Sequence, residues 1–178
     1  CGEIGLRTNQ FCNLCEINAS DIVDQKDYED RVRAAAFIGT LQASYTDFHY
    51  LLDIWRKTTE REALLGIGMT GIASGKVLQL DMAKAAEVAG KENERVAKII
   101  GINKAARITT VKPSGTLSLL PGVTPGCHPA YAQYMIRRIR ISADHPLVNV
   151  CREHGYPVEY QQNFDGSEDH STVVVSFP

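Results

Sequence analysis

Cys1-Gly2-Glu3-Ile4, then Gly5-Leu6-Arg7-Thr8-Asn9-Gln10, then Phe11-Cys12-Asn13-Leu14-Cys15-Glu16 crowd three thiols and two carboxylates into sixteen residues. No hydrophobic core needs that density of ionisable groups. Alternate side chains of an extended strand share a face, so Cys1 and Glu3 stand as a thiol and a base about 7 Å apart. Gly5, Thr8, Asn9 and Gln10 supply turn residues, enough loop to bring Cys12 back towards Cys1. Residues 11–19 then read as a short strand leaving that loop. A strand followed by helical periodicity and further strands places the chain in the α/β class.

Outward from this stretch, 178 residues suffice for one domain with a sizeable core. A formal charge of -2 gives no basic footprint for nucleic acid. Apolar runs of only a few residues, and no charged segment leading into an apolar one at the start, predict neither a membrane span nor a signal peptide. Five cysteines, an odd number, fit a reducing cytoplasm with working thiols better than a secreted disulfide scaffold.

Residues 27–50 carry Tyr28, Val32, Ala35, Ala36, Gly39 and Ala43 at helical spacing, with a polar lead-in at Ser20 or Asp21. Phe37, Leu41, Tyr45 and Phe48 cover the other side, which predicts a helix buried nearly all round. Residues 55–65 read as a solvated turn and short helix. Gly66-Ile67-Gly68-Met69-Thr70-Gly71 matches the dinucleotide fingerprint letter for letter. That fingerprint needs a strand before it and a helix starting within it, and the preceding residues are helical in composition. A glycine-rich strand over residues 66–72 is the better reading.

Residues 81–100 form the clearest helix, with Met82, Ala85, Ala86, Ala89, Val96, Ile99 and Ile100 in register and Gly101 as its C-cap. Arg107-Ile108-Thr109-Thr110-Val111 is β-branched and predicts a buried strand. It delivers the chain to Lys112-Pro113-Ser114-Gly115-Thr116. A serine and glycine turn between strand and helix offers free amides to an anion, or else an ordinary N-cap at Ser114. Residues 134–142 alternate as a strand, residues 146–154 suggest a helix ended by Gly155, and residues 172–177 a last buried strand.

Two of these motifs carry a resemblance. Cys1-Gly2-Glu3-Ile4 followed by Cys12-Asn13-Leu14 resembles the active-site segment of ribonucleotide reductases, especially the adenosylcobalamin-dependent class. Lys112 to Thr116, with Gly122-Val123-Thr124-Pro125-Gly126-Cys127-His128, resembles their phosphate-holding turn. The resemblance implies that Cys1 becomes a thiyl radical, that Glu3 is the general base and that Cys12 is one redox-active thiol. Ser114, Gly115 and Thr116 would hold the substrate phosphates. It implies adenosylcobalamin as cofactor, a ribonucleoside triphosphate as substrate and thioredoxin or another dithiol as reductant. A nucleotide effector would act through regions outside this sequence, and ribonucleoside-diphosphate reduction is the alternative. In fold, residues 1–178 would be one partial catalytic domain truncated at both ends: the second half of a ten-stranded α/β barrel with a central cysteine finger loop.

Other readings compete. Gly66, Gly68 and Gly71 would serve a dinucleotide-binding oxidoreductase, and the Ser114 turn alone a non-enzymatic anion-binding module. Cys12 and Cys15 are spaced C-x-x-C, but Cys127, His128 and Cys151 do not complete a zinc site. Asn13-Leu14-Cys15 resembles the radical cysteine segment of iron-dependent reductases, yet Ile17 stands where that glutamate belongs. Cys15 is therefore read as a buried strand thiol, and Cys127 and Cys151 as structural. His128 is read as a surface histidine. Arg137, Arg138 and Arg140 are read as strand charges.

Overall fold

The computed structural model describes residues 4–178. Cys1 and Glu3 lie outside the described residues, so the expectations placed on them are not addressed by the geometry. The chain divides into two compact units, the first reaching to Ala130 and the second running from Tyr131 to Pro178.

In the first unit, β1 (Asn13–Asn18) lies parallel to β2 (Leu65–Thr70), with Leu14 opposite Gly66 and Glu16 opposite Gly68. Between them run α1 (Gln25–Ala43) and α2 (Asp53–Glu62), and after β2 comes α3 (Met82–Ile100). A parallel pair requires such a crossover, because a tight turn cannot reverse the chain twice. Asp24, three residues beyond the expected lead-in, caps α1 by accepting the Asp27 amide at 2.8 Å; Asp27 reaches back to the Val23 amide. The stripe Tyr28, Val32, Ala35, Ala36, Gly39 and Ala43 is buried as the spacing predicts. Helix α1 stops at Ala43, where the Ser44 hydroxyl donates to the Leu41 carbonyl, so Tyr45 and Phe48 fall outside it. Nor is α1 buried all round: Phe37 and Ile38 are exposed.

Helix α3 packs on α1 and buries Ala85, Ala89, Val96 and Ala97, while Met82, Ala86 and Ile99 are exposed. The buried stripe is rotated because Asn93 belongs to it. Its amide donates to Thr40 Oγ1 at 2.9 Å, and its carbonyl accepts the Ala105 amide at 2.8 Å. Gly101 closes the helix in the left-handed region, as expected.

Residues 107–111 are an irregular edge and not a buried strand. One parallel bridge joins Thr109 to Ile67, and Val111 is exposed. Their β-branched composition favours extension, and backbone hydrogen bonds from Leu65 to Arg107, from Ile67 to Ile108 and from Thr110 to Ile67 hold them along β2.

The second unit is an antiparallel sheet in the order β3 (Arg137–Ser142), β5 (Glu168–Phe177), β4 (Val158–Gln162), with α4 (Pro146–Glu153) alongside. Val148, Val173 and Val175 form its core. Strand β4 was not foreseen. Asp165-Gly166 marks its hairpin, with Gly166 in the left-handed region and the Asn163 amide bonded to the Ser167 carbonyl.

Candidate functional site

The cysteine loop is mounted from several directions. The Gln10 amide donates to Glu62 Oε2 at 2.9 Å, Arg7 pairs with Glu62, and the Arg7 amide bonds Gln10 Oε1. Both Gln10 and Glu62 are buried. Hydrogen bonds from Gln10 first, then Arg7, hold the Glu62 carboxyl below its usual range. Phe11 stacks on Trp55 at 4.8 Å and meets Phe48 edge-on at 5.1 Å. Arg107 donates to the Gly5 carbonyl at 2.8 Å. Cys12, half-buried, sits at the end of this mount and directly before β1.

Strand alternation sorts the side chains of β1 onto two faces. Cys15 turns towards α1, 3.4 Å from where a Cβ on Gly39 would stand, and packs on the core. Burial pushes its thiol up, only partly opposed by the Lys112 ammonium. That is the environment of a packed strand thiol and not of an activated one. Leu14 and Glu16 take the other face.

The two glycines of β2 lie on that face. A Cβ on Gly66 would stand 2.5 Å from Leu14 Cδ2, and one on Gly68 would stand 3.4 Å from Lys112 Cγ and the Thr110 carbonyl. They leave room for the 110–112 segment to lie across the sheet. Being inside a strand that follows a helix, they cannot form a phosphate-cradling turn, and the dinucleotide reading fails on that geometry.

Over Gly68 the two sequence motifs meet. The Ser114 hydroxyl donates to Glu16 Oε1 at 2.6 Å, joining residues 98 apart. Lys112 Nζ stands 4.0 Å from the same oxygen, and the Glu16 side chain is 1% exposed. Glu16 Oε2 is buried with no hydrogen-bond partner among the described residues.

Ser114 does not cap a helix as expected. Its φ is +56°, its hydroxyl is engaged by Glu16, and the chain continues into a five-residue 3-10 turn, Gly115–Leu119, not an α-helix. The Gly115 amide bonds back to the Pro113 carbonyl at 2.6 Å. The helix-dipole argument for an anion site therefore lapses. What remains is an exposed Gly115 and Thr116 on a turn whose first residue is buried and anchored. Gly126 seals the turn from behind, where a Cβ would stand 2.2 Å from the Lys112 carbonyl oxygen. The Thr124 and Gly126 carbonyls in turn accept the Gly71 and Ile72 amides at the end of β2.

Glu16, Gln10 and Glu62 were not singled out from sequence. A carboxylate among Leu14, Cys15 and Ile17 on a strand was the available signal, since burying it is costly without partners. Of the other candidates, Cys151 packs on the Val148 core as a structural thiol, whereas Cys127 is exposed and supports no core. His128 is at the surface. Among the described residues no cluster of three or more His, Cys, Asp or Glu is arranged for a metal, and no helix is long and apolar enough to cross a membrane.

No family model matches the chain. Its similarity lies with adenosylcobalamin-dependent ribonucleotide reductases. In particular, the whole chain is 28% identical to the adenosylcobalamin-dependent ribonucleoside-triphosphate reductase of Levilactobacillus brevis, and 29% identical to that of Lactobacillus acidophilus. It spans 27% of the length of each, about a quarter of these relatives. A crystal structure of a B12-dependent class II ribonucleotide reductase matches 99% of this chain and 28% of its own, with a TM-score of 0.67 at 24% identity, which establishes a shared α/β fold. The resemblance carried by two motifs thus extends from one end of the chain to the other.

Proposed function

We propose that this chain is a segment of an adenosylcobalamin-dependent ribonucleoside-triphosphate reductase and contributes part of its catalytic pocket. The observation that carries the reading is the Ser114–Glu16 hydrogen bond. It joins the strand leaving the cysteine loop to the proposed phosphate turn, so that thiol and turn serve one substrate. The β1 edge away from β2 borders a groove of about 430 Å³ lined by Cys15, Ile17, Ala34 and Ile38. Among the described residues that edge of β1 has no paired strand, which suits a further parallel strand, as the second half of a ten-stranded barrel requires. Residues 1–178 are then one piece of a larger catalytic domain, working in the cytoplasm.

When bound, adenosylcobalamin supplies the radical chemistry; no described residue is assigned to hold it. Cys12, directly before β1, would be a thiol partner that such chemistry needs. In this reading Cys1 takes the ribose 3'-hydrogen and later returns it, and Glu3 accepts the 3'-hydroxyl proton. The 2'-hydroxyl leaves as water. Cys12 and a second thiol supply two electrons and two protons and become a disulfide, which thioredoxin or a similar dithiol resets. The Ser114–Thr116 turn holds the phosphates and thereby the sugar. An effector nucleotide acts elsewhere in the full protein.

The test uses the full-length protein. Cys12→Ser abolishes multiple turnover with a dithiol reductant while leaving exchange of cofactor 5'-hydrogens with solvent. Undiminished turnover overturns the reading. Parallel assays with tri- and diphosphates decide the substrate.

A further inference from the structure

We propose that Glu16 is a positioning residue for phosphate recognition, a buried latch that fixes the Ser114 turn; this rests on the reading of that turn as the phosphate site. Three observations converge. Ser114 holds a φ of +56°, a conformation uncommon for a residue with a Cβ. The hydroxyl of that same residue is given to Glu16 Oε1 at 2.6 Å, and its φ determines where Gly115 and Thr116 point. Glu16 itself is almost fully buried on a strand, an expensive place for a carboxylate, with Oε2 unpartnered among the described residues.

A core that needed only packing would carry an apolar side chain here. The carboxylate does what an apolar residue cannot: it accepts the serine proton and so locks both the rotamer and the left-handed backbone. Its charge would repel a nearby phosphate, and Lys112, 4.0 Å from Oε1, offsets it. Glu16 thus acts through Ser114, without touching the ligand.

The acceptor and the charge can be separated. Glu16→Gln keeps a carbonyl acceptor, Glu16→Ala removes it, and Ser114→Ala removes the donor. In the full-length protein, Glu16→Ala and Ser114→Ala each raise KM for the ribonucleoside triphosphate about ten-fold, the size of one charge-assisted hydrogen bond, with kcat within about two-fold. The double variant is no worse than either single one, because both remove the same bond. Glu16→Gln restores KM to within about three-fold of the parent. Should Glu16→Ala leave Lys112 so exposed to unpaired burial that folding fails, Ser114→Ala and Glu16→Gln carry the test. Unchanged KM in Ser114→Ala, or additive effects in the double variant, overturns the latch and leaves the reductase reading standing. Absence of ribonucleotide reduction by the unmutated full-length protein overturns that reading, and the latch's role in phosphate binding falls with it.

Discussion

Gly126 and Gly115 form a matched pair, with φ of +54° and +52°, so alanine at either suffers the same left-handed strain. That strain costs about 1–2 kcal/mol, less about 0.4–1 kcal/mol recovered by stiffening the unfolded chain. Gly115 has nothing within 4 Å of its absent Cβ, so Gly115→Ala costs about 1 kcal/mol. At Gly126 the new Cβ would stand 2.2 Å from the Lys112 carbonyl oxygen, and backbone cannot swing aside as a side-chain tip can. Opening that contact adds about 1–3 kcal/mol of overpacking, for a total near 2–4 kcal/mol. The assay is urea unfolding followed by the fluorescence of Trp55, the sole tryptophan, whose stacking on Phe11 reports this unit. With a urea slope of about 1–3 kcal/mol per molar, Gly126→Ala unfolds about 1 M earlier than Gly115→Ala. Midpoints coinciding within about 0.3 M would refute the claim that Gly126 is required by contact as well as by conformation.

Two further outcomes follow from buried polar contacts. Glu62 binds its proton more weakly in the folded protein than its usual 4.5, so its anchoring of the cysteine loop is complete above that value and drains away as pH falls through the lowered one. The protection factors at residues 7–10, taken relative to intrinsic exchange at each pH, therefore fall in acid, and Glu62→Gln removes that pH dependence; a profile unchanged by the substitution contradicts it. Asn93→Ala leaves the Ala105 amide without its acceptor and removes the donor to Thr40, whose hydroxyl keeps its bond to the Ala36 carbonyl, and costs about 1–3 kcal/mol, read as an earlier thermal midpoint.

The legible parts of the sequence were those governed by short-range rules. The α1 stripe, the Gly101 cap and the placing of Gly66 and Gly68 in a strand follow from period and local backbone preference, and these stand in the structure. Contacts between distant segments were not legible. Ser114 looked like an N-cap because its local alternatives are a cap or a turn, whereas a carboxylate 98 residues away claims its hydroxyl. The register of α3 was misjudged because period counts apolar side chains, while Asn93 is buried through hydrogen bonds. Residues 107–111 carry strand composition, but one isolated bridge, Thr109 to Ile67, is not the regular pairing that converts extension into a strand.

Gly126 touching Lys112 and Ser114 has a consequence for variation between relatives. The chain from residue 115 to residue 125 leaves and returns through one narrow neck, whose two sides are fastened to β1 and to the end of β2. A loop closed in this way behaves as a cassette. Doubling its length adds only about 0.6 kcal/mol of closure entropy, since the ends are already held together. Lineages can therefore lengthen, shorten or recompose the part of the excursion between Thr116 and Thr124 while the sheet, the cysteine-loop mount and the Ser114–Thr116 turn stay as they are.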